Sequence, residues 1–323
     1  MLISPPTTTT TTTKLLPKLH HPPCRPSHFL PKQMRISQTK TSITFITTNN
    51  HRKTHTSDAM ASENGGGGRI TIWKAVKVAV GLDLMSRLLG INLSFHRHLT
   101  HKSFKIPKWL EYTFAYCGTQ ALQGSPIDWV RTHRFHHQYV DTEKDPHSPI
   151  KGFWFSHILW MFDTNNTSNM VGERNNVRDL EKQFFYRFVS RTYIAHPIAL
   201  ALVLYALGGL PFIVWGMGVR VVWGYHMTWL VNSTCHGSGN QTWDTRDLSL
   251  NNRWIGILGF GDGWHHNHHA FKYSARHGLE WWQVDITWYL IRLLEIIGLA
   301  SDVKLPTPTD IQRKTFPLKA SSP

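Results

Sequence analysis

An all-α integral membrane protein, with transmembrane helical hairpins under a stromal or cytosolic helical cap that holds a histidine-rich site, is the fold class this sequence predicts. Three observations carry it. Thr192–Val219 contains no Asp, Glu, Lys or Arg, and Arg220 is the only such residue before Asp244. The 21 histidines are grouped rather than scattered, and the groups flank that uncharged run. Two of the groups repeat the spacing H-x-x-H-H, and on a helix positions i, i+3 and i+4 lie within ~100° of one another.

The elements follow in chain order. Residues 1–57 hold eight Lys/Arg and no acid, leaving +7 of the net +15 for everything after them. "TTTTTTT" at Thr7–Thr13 opens a hydroxylated, basic, Pro-rich tract, the composition of a disordered organelle transit peptide, with a chloroplast preferred to a mitochondrion. Residues 58–69 include "NGGGG" and read as a flexible linker. The membrane domain is expected over 70–303. Its first apolar stretch, Ile70–Phe95, is interrupted by Lys74, Lys77, Asp83 and Arg87, so it needs partners in order to span. Trp109–Leu122 reads as amphipathic and interfacial, and so does the Trp-rich Leu279–Leu299. The uncharged run is long enough for two spans of ~20 residues, placed near Tyr193–Leu207 and Phe212–Val231 with a turn at "GGLP". Residues 304–323 read as a disordered Pro-rich tail. Two crossings return the chain to the side it left, so histidines before and after the hairpin can meet on one membrane face. Arg220, in mid-span, should face the interior and meet a carboxylate or carbonyls.

Composition excludes some functions. The remaining positive charge suits an anionic membrane surface, and no basic run interleaved with base-reading residues argues for nucleic acid. Cys24, Cys117 and Cys235 are too few and too far apart for a thiolate zinc site or a disulfide framework.

The histidines carry the chemistry. In order they are His96 and His101 (H-x4-H), His133, His136 and His137, then Asn232 and His236 (N-x3-H), and finally His265, His268 and His269. His96 and His101 stand ~140° apart on an ideal helix, so one must sit at a helix end or turn. Eight or more neutral imidazoles exceed the four ligands of one zinc and suffice for two metals with open positions. Imidazole suits Zn, Cu, Fe and Ni, and redox chemistry at a membrane without thiolates points to non-haem iron and O2. His147, His157, His226 and His277 read as structural or supporting. In "WHHNHHAF", His266 has no counterpart in the repeated spacing and reads as a passenger.

Six segments, "HRFHH", "DPHSP", "GFWFSH", "WLVNSTCH", "FGDGWHHNHHAF" and "SARHGLEWWQVD", resemble the membrane fatty acyl desaturases of the stearoyl-CoA Δ9 type, in their plant branch. The likeness covers Ile70 to Leu305. It implies two Fe as a non-haem di-iron centre, with His96, His101, His133, His136, His137, His236, His265, His268 and His269 as ligands. Asn232 would reach the metal through water. It implies O2 as co-substrate and a cis double bond as product, most closely at Δ7 of palmitate on monogalactosyldiacylglycerol in a multi-pass chloroplast membrane protein, with ferredoxin as electron donor. Trp129 and Arg131 fall where relatives bind substrate. "MFDTNNTSN" lacks the basic residues that accompany acyl-CoA binding, which favours an uncharged lipid head. The departures are one apolar span before the first histidines where the family has two, His98 and His266 where it has Asn, and no Trp near position 238. An acyl-CoA Δ9 desaturase of the endoplasmic reticulum, fed by cytochrome b5, is an alternative. So is a di-iron lipid hydroxylase, whose first histidines usually run H-x3-H. A histidine-rich metal transporter would place its ligands near mid-membrane, whereas these sit beyond span ends.

Overall fold

In the computed structural model the described residues are 64–163 and 174–316, all within the compact unit His55–Pro323. Most are helical. Among them there is no β-strand, only isolated bridges such as Lys105 with Ser301. The transit-peptide region and most of "MFDTNNTSN" (164–169) lie outside the described residues.

Among the described residues two helices are long and apolar enough to cross a membrane, Thr71–Thr100 and Ala195–His236. The first begins at Asn64, so the glycine run expected as a joint is wound into its first turns. Glycine disfavours a helix by only about 1 kcal/mol per residue, and the apolar helix downstream propagates through it. The mid-helix charges are matched. Arg87 Nε and Nη2 donate to Asp83 at 2.7 and 2.6 Å, and the guanidinium lies 4.6 Å from the Phe260 ring centre. Lys108–Thr119 crosses this helix closely. A Cβ at Gly90 would stand 2.3 Å from Gly118 Cα, so the crossing needs glycine on the long helix.

The second long helix is broken where "GGLP" predicts a turn. Gly208 and Gly209 leave helical geometry, and Gly209 takes φ +65°, which glycine adopts freely. Leu204 before the break then packs against Gly216 after it. Both limbs close on the first long helix through Ala75, Leu204 and Phe212. Arg220 is buried and meets carbonyls, as expected: Nε donates to Gly216 O at 2.6 Å, and Nη1 to Gln120 O at 2.8 Å and Ser86 Oγ at 2.9 Å.

The C-terminal expectation needs correction. Residues 304–316 are ordered, with a helix Pro308–Lys314 started by a Thr307–Asp310 capping box. Tyr273 Oη donates to Asp310 at 2.7 Å, and Ile311 packs on the Trp243–Phe271 cluster. Pro308 at the first helical position starts this helix rather than breaking it.

Candidate metal centre

The nine histidines singled out from the sequence come together, and they divide. His96, His101, His133, His137 and His268 form one group, and His136, His236, His265 and His269 the other. Within each group one ring nitrogen from every histidine lies within 4.8 Å of those from the others.

Helical geometry explains the division. From Leu84 to Thr100 the first long helix winds with i→i+5 bonding, and His101 N donates to His96 O at 3.2 Å. A turn that closes over five residues brings the two imidazoles together edge to face, with centroids 5.2 Å apart. His101 caps the helix, which is the helix-end placement that the H-x4-H spacing required. The helix Pro126–Tyr139 is set by Ser125, whose Oγ accepts from Asp128 N, with Pro126 at its first position. It sends His133 and His137 to the first group and His136 to the second. The helix His265–Ala270 does the opposite, sending His268 to the first and His265 and His269 to the second. The expectation that each H-x-x-H-H points one way is therefore corrected. The i, i+4 pair serves one group, and i+3, ~60° away from i, reaches the neighbouring one.

This donor set fits metal cations. In the first group, Nε2 atoms approach at 3.1 Å (His96 and His268), 2.9 Å (His268 and His137) and 3.2 Å (His137 and His133). In the second, His265 Nε2 lies 3.1 Å from His236 Nε2. The buried Nε2 atoms of His101, His136 and His269 have no protein partner. Four carboxylates occupy the opposite ring nitrogens: Asp262 at His96 Nδ1 (3.2 Å), Asp145 at His136 (2.9 Å), Asp141 at His236 (2.9 Å) and Asp247 at His269 (3.1 Å). A carboxylate on Nδ1–H leaves the Nε2 lone pair for a metal. Burial, then the neighbouring imidazoles, holds His101, His133, His137, His265 and His268 well below the usual histidine range, in the neutral form a metal requires. At His136 burial opposes the charge, but Asp145 with Asp141 and Asp247 together outweigh it and raise the pKa.

The sequence reading did not single out these carboxylates, although "FGDGWHHNHHAF" contains Asp262 and "DPHSP" contains Asp145. It also missed Arg97, fully buried between His96 and His98. Arg97 Nη1 donates to Ala275 O at 2.8 Å, and both Nη atoms grip Asp285 at 3.0 and 2.9 Å. Gly261, at φ +113°, makes room for that pair, since a Cβ there would stand 2.1 Å from Asp285 Oδ1.

His266, read as a passenger, stays out of both groups, and so do His98 and His157. His266 accepts from Trp243 N at 2.9 Å and meets Ser249 Oγ at 2.9 Å. His98 lies between Phe104 O and Glu111, each at 3.0 Å. His157 bridges Ser233 and His226.

A cavity of about 380 Å3 opens beside the groups, lined by Leu122, Trp129, Arg131, Trp160, Tyr225 and Asn232 among others. Trp129, His133, Thr228 and Asn232 also line a smaller inner cavity that reaches His96, His136, His265 and Asp262. Trp129 and Asn232 thus line both cavities, and Arg131 lines the larger one. Arg131 Nε is buried without a partner, and its Nη2 lies 3.5 Å from Asp128.

Two adjoining imidazole clusters with carboxylate partners beside a cleft make a site whose donors could hold metal ions. Comparison with known proteins specifies the family. The pattern of the fatty acid desaturase family matches residues 75–294, and the chain belongs to that family of oxidoreductases. It is 67% identical over 244 residues to the chloroplastic palmitoyl-monogalactosyldiacylglycerol delta-7 desaturase of Arabidopsis thaliana, covering 76% of this chain and 66% of that protein. It is 56% identical over 244 residues to an acyl-CoA 5-desaturase of Anemone leveillei, covering 76% of each. It is 54% identical over 241 residues to the delta-9 acyl-lipid desaturase 1 of Arabidopsis thaliana, covering 75% of this chain and 79% of that one.

Proposed function

We propose that this protein is an O2-dependent acyl desaturase of a chloroplast membrane, placing a cis double bond at Δ7 of palmitate on monogalactosyldiacylglycerol. One observation carries the reading: two buried groups of imidazoles share walls with two adjoining cavities, the larger of which is lined by Trp129, Trp160 and Tyr225 and carries Arg131. The 67% identity to the plastid relative supports the substrate and the compartment.

One iron would be held by His96, His101, His133, His137 and His268. The other would be held by His136, His236, His265 and His269, with Asn232 acting through water. Bound iron would supply O2 activation and the oxidising power to remove hydrogens from two adjacent methylenes, leaving water. The remaining work belongs to the chain. Asp262, Asp145, Asp141 and Asp247 keep protons on Nδ1 and lone pairs on Nε2. Trp129 and Thr228 line the acyl path and keep water from it, and Arg131 meets the polar head. The break at Gly208–Gly209 makes a hairpin of the second long helix, so every histidine group lies on one membrane face, in a cap supplied with electrons by ferredoxin.

The test is expression of the mature region in a cyanobacterial or plastid host with ferredoxin, followed by mass-spectrometric mapping of double bonds in each lipid class. A new Δ7 monoene in the galactolipid, lost in His268→Ala, is expected. No new monoene in any class, from a chain that carries two irons, overturns the reading.

A further inference from the structure

Two histidines outside the nine sit in matching places. Asp262 faces His96 Nδ1 with Oδ2, and with Oδ1 it faces His277 Nδ1 at 3.4 Å. Asp145 faces His136 Nδ1 with Oδ2, and with Oδ1 it faces His147 Nδ1 at 3.6 Å. Each outer ring also packs on the inner one, at 5.2 Å between centroids for His277 and His96 and 4.5 Å for His147 and His136. His277 and His147 are 1% and 6% exposed. They come from different parts of the chain, one beyond the last histidine box and one in the loop after the second. The same His–Asp–His order is thus built twice, once for each imidazole group.

We propose that His277 and His147 are positioning residues, one for each metal, acting through Asp262 and Asp145 on the ligands His96 and His136. The proposal rests on the reading that the two groups hold irons. Its physical basis is the shared carboxylate. A carboxylate held on one side by a ligand's Nδ1–H can still rotate about its own bond. A second imidazole at the far oxygen fixes that rotation, and with it the tautomer and tilt of the ligand ring. Stability alone gives little reason for His277, because its Nε2 is buried without a partner and its Nδ1 meets only Asp262 Oδ1, at 3.4 Å. Arg97 Nη2, 3.3 Å from Asp262 Oδ1, shares the task in the first group. In the second, Oδ1 takes His147 N at 3.2 Å and Oδ2 takes Asp141 N at 3.0 Å.

The test uses the iron-loaded protein, with Mössbauer spectra and chelator competition as readouts. His277→Leu and His147→Leu keep bulk and remove both nitrogens, whereas His277→Asn and His147→Asn restore an N–H close to where Nδ1 stands. Each Leu variant should weaken one iron by about 10–100-fold and shift one iron's spectral component, a different one in each case. The Asn variants should recover most of both effects. Wild-type affinity and unmoved spectra in the Leu variants overturn the proposal. Loss of both irons together, with a lowered melting temperature of the metal-free protein, overturns it in favour of a packing role. Wild type that binds no iron sinks this reading and the metal reading together, while two bound irons without product sink only the activity.

Discussion

Asp247→Asn tests how far the carboxylates govern the metals. Asp247 is 9% exposed in its side chain, and it accepts from His269 Nδ1 at 3.1 Å, Thr245 Oγ1 at 2.8 Å and Ser249 N at 3.1 Å. In Asn the amide oxygen can keep the Thr245 and Ser249 bonds, because these converge on Oδ1. The amide nitrogen then faces His269 Nδ1–H, donor against donor. Relief comes when the His269 proton moves to Nε2, the atom offered to the metal, which blocks the lone pair. Loss of such a partner weakens a metal site by about 10–100-fold, or about 1.4–2.7 kcal/mol. His269 belongs only to the second group, so one iron should weaken and the other should not. Chelator competition on anaerobic, iron-loaded protein reads the two affinities separately. Both affinities unchanged, or both reduced equally, would refute the reasoning.

Other expectations follow from the same geometry. Arg97→Met strands Asp285 and Asp262 in the interior and should destabilise the fold by about 3–5 kcal/mol in chemical denaturation. Gly90→Val drives side-chain atoms into Gly118 and should lower the melting temperature sharply, whereas Gly81→Ala, with open space around its Cβ position, should not. Metal-free protein should lose stability as pH falls from about 6.5 towards 4. Burial, against the opposing pull of Asp247 and Asp262, lowers His269 and His277 from 6.5 to about 4, so the unfolded chain takes up protons first, and each contributes about 3 kcal/mol across that window. Titration by intrinsic fluorescence reads this, and stability that is flat or rises over the window would contradict it. His266→Asn should leave iron content and product unchanged, because His266 bonds only to Trp243 and Ser249.

Much of this was legible in the sequence. An uncharged run and a "GGLP" break are local signals, and the long helix Ala195–His236 follows them with its break at Gly208–Gly209. The nine histidines announced themselves by number and spacing. Their division between two groups did not, because it depends on two helices approaching from opposite sides, one reversing the assignment of the other. The pairing of His96 with His101 was legible too, with one of them at a helix end, but the i→i+5 winding that brings their rings together was not. Carboxylate partners were hidden for a different reason. Asp247 lies 22 residues from His269 and Asp262 lies 166 from His96, separations at which spacing carries no signal. The C-terminal helix was missed because a Pro-rich composition was read as a disordered tail, although Thr307-Pro308 with Asp310 starts a helix.

The most direct test is the iron count per folded chain, measured on protein purified and loaded anaerobically, for wild type, His101→Ala and His236→Ala. The account predicts two irons in wild type and, at limiting iron, about one in each variant, with the surviving iron giving a different spectrum in the two. A single iron in wild type, or the same surviving spectrum in both variants, would contradict a centre built from two separate histidine groups.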